Sequence, residues 1–287
     1  ILTINKANLT VTGTSSPSKT YDGLDTSTIT GGTLSGIKNN DLLTLTQAGT
    51  YSSVTAGKGI VMNMNDSISG TKATNYILTQ PTVTGTINQR PITLLANNQS
   101  TTYGTALNLG TTNFSITSGA LASGDAITSV TLQYNSSSTV PATTNAGTYS
   151  NSITASNASG SGNFNTSNYT IGYSNGTLTV NKANLTVTGT SSPSKTYDGT
   201  DAASIRGGTL VGIQNGDSIT LTQGGTYSSV NAGNNISITM TDSISGSKAT
   251  NYNIVQPTVT GTINKATLTV AANNQSMTYG GSLPTLT

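Results

Sequence analysis

The sequence predicts an all-β protein made of repeated modules, and three observations carry that prediction. Thr, Ser, Asn and Gly dominate a chain that is 33% hydrophobic and only 7% charged. Thr and Val are β-branched and suit a pleated surface, while Gly, Asn and Asp supply turns. Short apolar alternations recur along the chain, and no apolar 3.6-residue periodicity persists past two turns. Finally, the eighteen residues KANLTVTGTSSPSKTYDG stand at 6–23 and again, unchanged, at 182–199. A polar chain can be disordered, but a net charge of +2 and the recurring apolar alternation argue for folding.

The repeat sets the domain plan. Residues 1–5 read as the end of a preceding module, because LTIN at 2–5 mirrors LTVN at 178–181. One kind of module spans 6–88 and returns at 182–264; a second kind spans 89–181 and begins again at 265–287. The two kinds share a grammar. Each opens on an apolar alternation and reaches a tyrosine turn, TYDG at 20–23 in one and TYG at 102–104 in the other. An aspartate turn follows (Asp41, Asp125), then an Ala-Gly step (Ala56-Gly57, Ala146-Gly147), then an Asn-Tyr pair (Asn75-Tyr76, Asn168-Tyr169) before the last strand. One fold used repeatedly is expected: small two-layer modules of immunoglobulin-like sandwich type, with a β-grasp-like module as the alternative.

The junctions carry their own expectation. In LTVNKANLTV at 178–187, Leu178 and Val180 are in one phase and Leu185 and Val187 in the other. Alternate residues of a strand face opposite sides, so one core should end and another begin within this stretch. The same step of five recurs from Ile4 to Leu9, Ile87 to Ile92 and Ile263 to Leu268. Nearly straight passage between modules predicts a semi-rigid monomeric rod, each module adding about 35–40 Å.

Composition excludes several classes of function. Cys, His and Trp are absent and all nine acidic residues are Asp. That leaves no conventional zinc, copper or iron–sulfur ligand set and no Ser-His-Asp or Cys-His arrangement. No two basic residues are adjacent, so the footprint of a nucleic-acid binder is missing. No apolar stretch approaches the roughly 18–20 residues of a membrane-spanning helix. Neither a catalytic residue nor a cofactor or metal site is expected.

The tyrosine turns are the most conspicuous candidate sites: Tyr21, Asp22 and Gly23; Tyr103 and Gly104; Tyr197, Asp198 and Gly199; Tyr279 and Gly280. An exposed Tyr beside an Asp could stack on a sugar and bind its hydroxyls. The structural alternative is an Asp-Gly turn with the ring plugging the end of its module's core and the hydroxyl bonded to backbone. The second kind of module keeps the Gly and drops the Asp, which favours the structural reading. The spacing of Asp22, Asp25, Asp41 and Asp66 matches no calcium loop, so these read as turn residues. Lys6, Lys19 and Lys72 read as solvated strand-end lysines rather than partners in an isopeptide bond. The frequent Asn-x-Ser/Thr triplets follow from composition.

With those residues in view, the chain resembles tandem repeats of large bacterial surface adhesins. Residues 6–88 and 182–264 resemble the YDG-type repeat through Tyr21-Asp22-Gly23 and Tyr197-Asp198-Gly199. Residues 89–181 resemble the MBG-type repeat through Tyr103-Gly104, AGTY at 146–149 and SNYTIGYSNGTLTVNKA at 167–183. The resemblance implies a filamentous-haemagglutinin-like protein exported to the cell surface, in which such repeats form a stalk. The expected role is a non-enzymatic spacer that projects a binding tip for attachment or biofilm formation. Host or matrix glycan or protein partners would then be met by regions outside this stretch, along with any signal or anchor. Two rival expectations are glycan or matrix binding by exposed Tyr, and homophilic association between stalks through strand edges.

Overall fold

The structure, a computed structural model, describes residues 1–285. Among these residues the only helical segments are 3-10 turns at Ala73–Asn75, Thr166–Asn168 and Ala249–Asn251; strands and turns make up the rest. The protein is all-β.

Residues up to 88 form β1 (Ala7–Thr12), β2 (Lys19–Thr20), β3 (Thr33–Ser35), β4 (Thr44–Thr46), β5 (Gly49–Tyr51), β6 (Gly57–Met64), β7 (Ser67–Ser69), β8 (Tyr76–Thr79) and β9 (Thr84–Asn88). They pair in the orders β3-β1-β8, β2-β9-β6-β5 and β4-β7. The following residues form β10 (Arg90–Ala96), β11 (Gln99–Thr102), β12 (Leu107–Asn108), β13 (Phe114–Ser118), β14 (Asp125–Tyr134), β15 (Thr139–Val140), β16 (Gly147–Gly162), β17 (Tyr169–Ser174) and β18 (Gly176–Asn181). Their orders are β13-β10-β17, β11-β18-β16-β14 and β12-β15; the three- and four-stranded sheets repeat the first plan, whereas β12-β15 is a ribbon at other positions along the chain than β4-β7. Residues 183–264 return to the first version, with Ala183–Thr188 between Thr209–Val211 and Tyr252–Val255. The shared grammar therefore accompanies a shared order in the two larger sheets of each module. In the second kind of module β14 and β16 are ten and sixteen residues long and pair from Asp125↔Gly162 to Tyr134↔Ile153, where the first kind has the separate pairs β5-β6 and β4-β7.

Pairing within these sheets is mixed. β1 runs antiparallel to β3 and parallel to β8; β10 does the same with β13 and β17. Alternation in a sequence tells which side chains face inward, but it does not say which strand lies alongside. In β1 the alternation is clear: Leu9 and Val11 are buried and Asn8, Thr10 and Thr12 are exposed. The apolar residues turned away from water provide most of the favourable free energy of such a module.

The change of phase occurs where the spacing predicts it. Gly85 and Ile87 of β9 are buried, Asn88 and Gln89 are exposed, and Ile92, Leu94 and Ala96 of β10 are buried in the opposite phase. From Leu178 and Val180 to Ala183, Leu185 and Val187 the shift repeats across Asn181 and Lys182. At the chain's ends only one member of each pair is buried. Ile4 and Leu268 are largely exposed, whereas Leu9 and Ile263 are buried. Residues 1–6 and 265–285 carry no strand, and 286–287, the end of the segment read as a truncated module, lie outside the described residues.

By proximity the chain divides into two compact units. The first contains residues 1–101, 106–141 and 148–179. The second contains residues 102–105, 142–147 and 180–287, so two short loops of the central module, one carrying the tyrosine turn and one the Ala-Gly step, belong with the strands after 180.

Candidate functional site: a tyrosine–aspartate lock

Each aspartate turn is built locally. The N–H of Asp41 bonds the carbonyl of Lys38, that of Asp125 the carbonyl of Ala122, and that of Asp217 the carbonyl of Gln214, at 3.0–3.1 Å. Asn39 and Asn40 have φ of 55° and 52°, the left-handed pair that a tight primed turn requires. The tyrosine of the Asn-Tyr pair then clamps the turn from the side. Tyr76 donates its hydroxyl to Asp41 Oδ2 at 2.7 Å and accepts the Lys38 N–H at 3.1 Å. Tyr169 does the same with Asp125 Oδ2 (2.6 Å) and the Ala122 N–H (2.9 Å). Tyr252 repeats the pattern with Asp217 Oδ2 (2.7 Å) and the Gln214 N–H (2.9 Å).

A second tyrosine joins two of these clamps. In the first unit the tyrosine turn that follows β1 brings Tyr21 to Asp125, with Oη donating to Oδ2 at 3.1 Å. Its ring meets Tyr169 edge-on, centroids 5.5 Å apart. In the second unit Tyr103 donates to Asp217 Oδ2 at 2.8 Å and meets Tyr252 edge-on at 5.4 Å. Edge-to-face geometry sets the positive rim of one ring on the negative face of the other. The Ala-Gly step and the asparagine complete the arrangement. The Ala56 N–H donates to Asn168 Oδ1 at 2.9 Å, and the Ala146 N–H to Asn251 Oδ1 at 2.8 Å. Both asparagines are buried, at 3% and 2% exposure. Arg90 adds a strut in the first unit, from its guanidinium to the carbonyls of Tyr21 and Ala120.

The electrostatics favour neutral phenols. Burial first, and then the hydrogen bond and charge of Asp125, push the Tyr169 hydroxyl up to about 12. Burial and Asp217 do the same to Tyr252, also to about 12. Burial is the leading cause of the upward shifts of Tyr21 and Tyr103 too. A phenolate beside a carboxylate in a half-desolvated junction would set two negative charges against each other.

The structure corrects two readings of the tyrosine turn. The Tyr21 and Tyr103 hydroxyls bond a carboxylate brought from elsewhere in their unit, not backbone, and their rings pack on a distant tyrosine rather than plugging their own module's core. At 1% and 2% exposure neither can stack on a sugar. Tyr197, in the identical stretch, is 45% exposed, and Tyr279 is fully exposed. Gly23, Gly104, Gly199 and Gly280 all have positive φ; Tyr103-Gly104 and Tyr279-Gly280 lie in turns, and Gly23 and Gly199 in bends. At Gly104 a Cβ would also run into the side chain of Gln214.

Lys19 is not a solvated strand-end lysine. It bridges to Asp22 at 2.7 Å and donates to the carbonyls of Leu24 and Thr26, holding the loop after the turn. Asp22 in turn accepts the Leu24 N–H. Burial works against its charge, but Lys19 and that N–H outweigh burial and leave its carboxyl below the usual range. In the second copy the hydrogen bond from Lys195, followed by those from Thr200, holds Asp198 at about 2. Asp66 and Asp242 are buried rather than lying in exposed turns, and each accepts a backbone N–H, from Ala48 and Gly224. Among the described residues no three acidic side chains gather where they could hold a metal, and no helix is long and apolar enough to cross a membrane.

Two module types that share the order of their larger sheets, joined through a recurring side-chain lock, define a tandem array of all-β repeat domains. Residues 5–84 and 181–261 match the YDG domain, and residues 92–179 match the MBG domain of YGX type. The YDG matches cover more than half of the chain, and the chain belongs to that family. No curated protein and no solved structure matches it.

Proposed function

We propose that this chain is a non-enzymatic stalk region of an exported bacterial surface adhesin, holding a binding tip away from the cell for attachment or biofilm formation. The observation that supports this reading most is the lock itself. The most elaborate polar constellation, found twice with the same chemistry, is spent on joining one stretch of repeat to the next. A part whose working properties are length and stiffness needs that investment, because short linkers alone leave neighbouring domains free to swing. Low charge and abundant hydroxyls and amides keep such a stalk soluble without strong attraction to other molecules.

Small-angle scattering of the chain in dilute solution tests the proposal. A stalk gives an elongated profile whose maximum dimension exceeds that of a sphere of equal mass several-fold and does not change with concentration. A globular profile contradicts it, and growth with concentration favours association between stalks instead.

A further inference from the structure

Two faces of the molecule carry half of the lock. Asp41 is clamped by Tyr76 just as Asp125 and Asp217 are clamped by Tyr169 and Tyr252. Those two aspartates also receive a second phenol, from Tyr21 and Tyr103, whereas the phenol seen on Asp41 is that of Tyr76. Asn75 occupies the position of Asn168 and Asn251, yet it is exposed where they are 3% and 2% exposed. The other face shows the complementary half. Tyr197 lies 176 residues after Tyr21 in an identical stretch and is 45% exposed, against 1%. Ala232, the counterpart of half-buried Ala56, is exposed as well.

We infer that Asp41, Asn75 and Tyr76 form a docking face for the tyrosine turn and Ala-Gly loop of another MBG-type module, and that Tyr197 and Ala232 form the complementary half, which docks the aspartate turn and Asn-Tyr pair of such a module. The occupant follows from the two locks that are closed. In the first unit the YDG-type tyrosine turn meets the aspartate and asparagine of an MBG-type module. In the second unit an MBG-type turn, carried by residues 102–105, meets the aspartate and asparagine of a YDG-type module. The inventories match group for group: one phenol and one backbone N–H on one side, one carboxylate oxygen and one amide oxygen on the other. Exposed, these groups are hydrated; docked, the aromatic edges also leave water. The inference concerns docking alone and stands whether or not the array lifts an adhesive tip.

The test lengthens the full chain by repeating residues 89–264 once after Asn264, with 265–287 following and Tyr197→Phe made in the second copy only. Nitration by tetranitromethane, mapped by mass spectrometry, then reads the remaining Tyr197. The expected result is a rate about tenfold or more below that in the unlengthened chain and close to that of Tyr21, since a docked ring reacts only when the junction opens. Asp125→Ala in the inserted copy should restore the fast rate. Unchanged nitration of Tyr197 while Tyr21 stays protected overturns the inference.

A second variant reads the other face independently, with a copy of residues 89–181 placed ahead of Lys6 instead of 1–5. The Tyr103 of that copy should be protected, and Asp41→Ala should expose it. Nitration as fast as that of a free tyrosine in this variant overturns the Asp41 half. Protection of Tyr197 in the unlengthened chain that rises with protein concentration would assign the face to a second copy of the chain and overturn the choice of occupant.

Discussion

Tyr21 Oη and Asp125 Oδ2 stand 3.1 Å apart across 104 residues of sequence. Tyr103 and Asp217 repeat the relationship at 2.8 Å across 114 residues. In both places a further tyrosine shares the same carboxylate oxygen. One carboxylate accepting two phenols is a charge-assisted arrangement, stronger than bonds between neutral partners.

Removing the acceptor should cost more than removing one donor. Asp125→Ala leaves the Tyr21 and Tyr169 hydroxyls without their carboxylate in a half-desolvated junction, and is expected to destabilise the first unit by about 2–5 kcal/mol. Tyr21→Phe leaves Tyr169 in place and should cost about 1–2 kcal/mol. Urea unfolding followed by tyrosine fluorescence measures both, and equal costs would show that the carboxylate is not the hub.

The lock should loosen in alkali. Tyr169 and Tyr252 have pKa values raised from 10.0 to about 12 in the fold. The neutral phenol is therefore favoured in the folded state. Its stabilising contribution is fully present below the unfolded pKa near 10 and is lost as pH rises toward about 12. Stability against urea should hold up to that range and then fall, with phenolate absorbance of these tyrosines appearing late. Ionisation of all tyrosines together near the unperturbed value would contradict the assignment.

A glycine under a tyrosine ring is a second fixed point. A Cβ at Gly85 would lie 2.6 Å from Cε1 of Tyr51, and one at Gly261 would lie 2.5 Å from Oη of Tyr227. Gly85→Ala and Gly261→Ala should each cost about 1–3 kcal/mol through overpacking. The thermal midpoint should fall in both variants, while Gly59→Ala, where a Cβ meets nothing within 4 Å, separates packing from the effect of positive φ.

At the second YDG turn the ion pair sets the titration. Asp198 is held at about 2, chiefly by Lys195. The contribution of this depressed carboxyl is present above its unfolded pKa near 3.8 and is lost as pH falls toward about 2. Lys195→Met should bring the Asp198 carboxyl up toward the ordinary range in an NMR titration. An unmoved titration would show that Thr200, not Lys195, holds it.

Much of this fold is legible in the residues. Thr-rich alternation such as Leu9-Thr10-Val11-Thr12 states strand and facing at once, and the change of phase at Asn88-Gln89 and at Asn181-Lys182 falls where spacing puts it. The parallel neighbour of β1 is not legible, because Tyr76–Thr79 lies far along the chain and nothing local names it. The lock was half visible. Tyrosine turn, aspartate turn, Ala-Gly step and Asn-Tyr pair all stand out as shared grammar, yet each also reads as an ordinary turn or strand end. Their convergence depends on contacts more than 100 residues apart, such as Ala56 to Asn168 and Ala146 to Asn251. Identical sequence also does not mean identical surroundings, since Tyr21 is buried and Tyr197 is not. The signal that could have linked these elements is that all four recur in both module types while the segments between them differ in length.

The most direct measurement is a double-mutant cycle between Tyr21→Phe and Asp125→Asn in the full chain, read by urea unfolding. The lock predicts a coupling of about 1–3 kcal/mol, because removing either partner disables the same bond. Costs that simply add would contradict it, leaving the tyrosine turn and the aspartate turn as neighbours that share a surface without being joined.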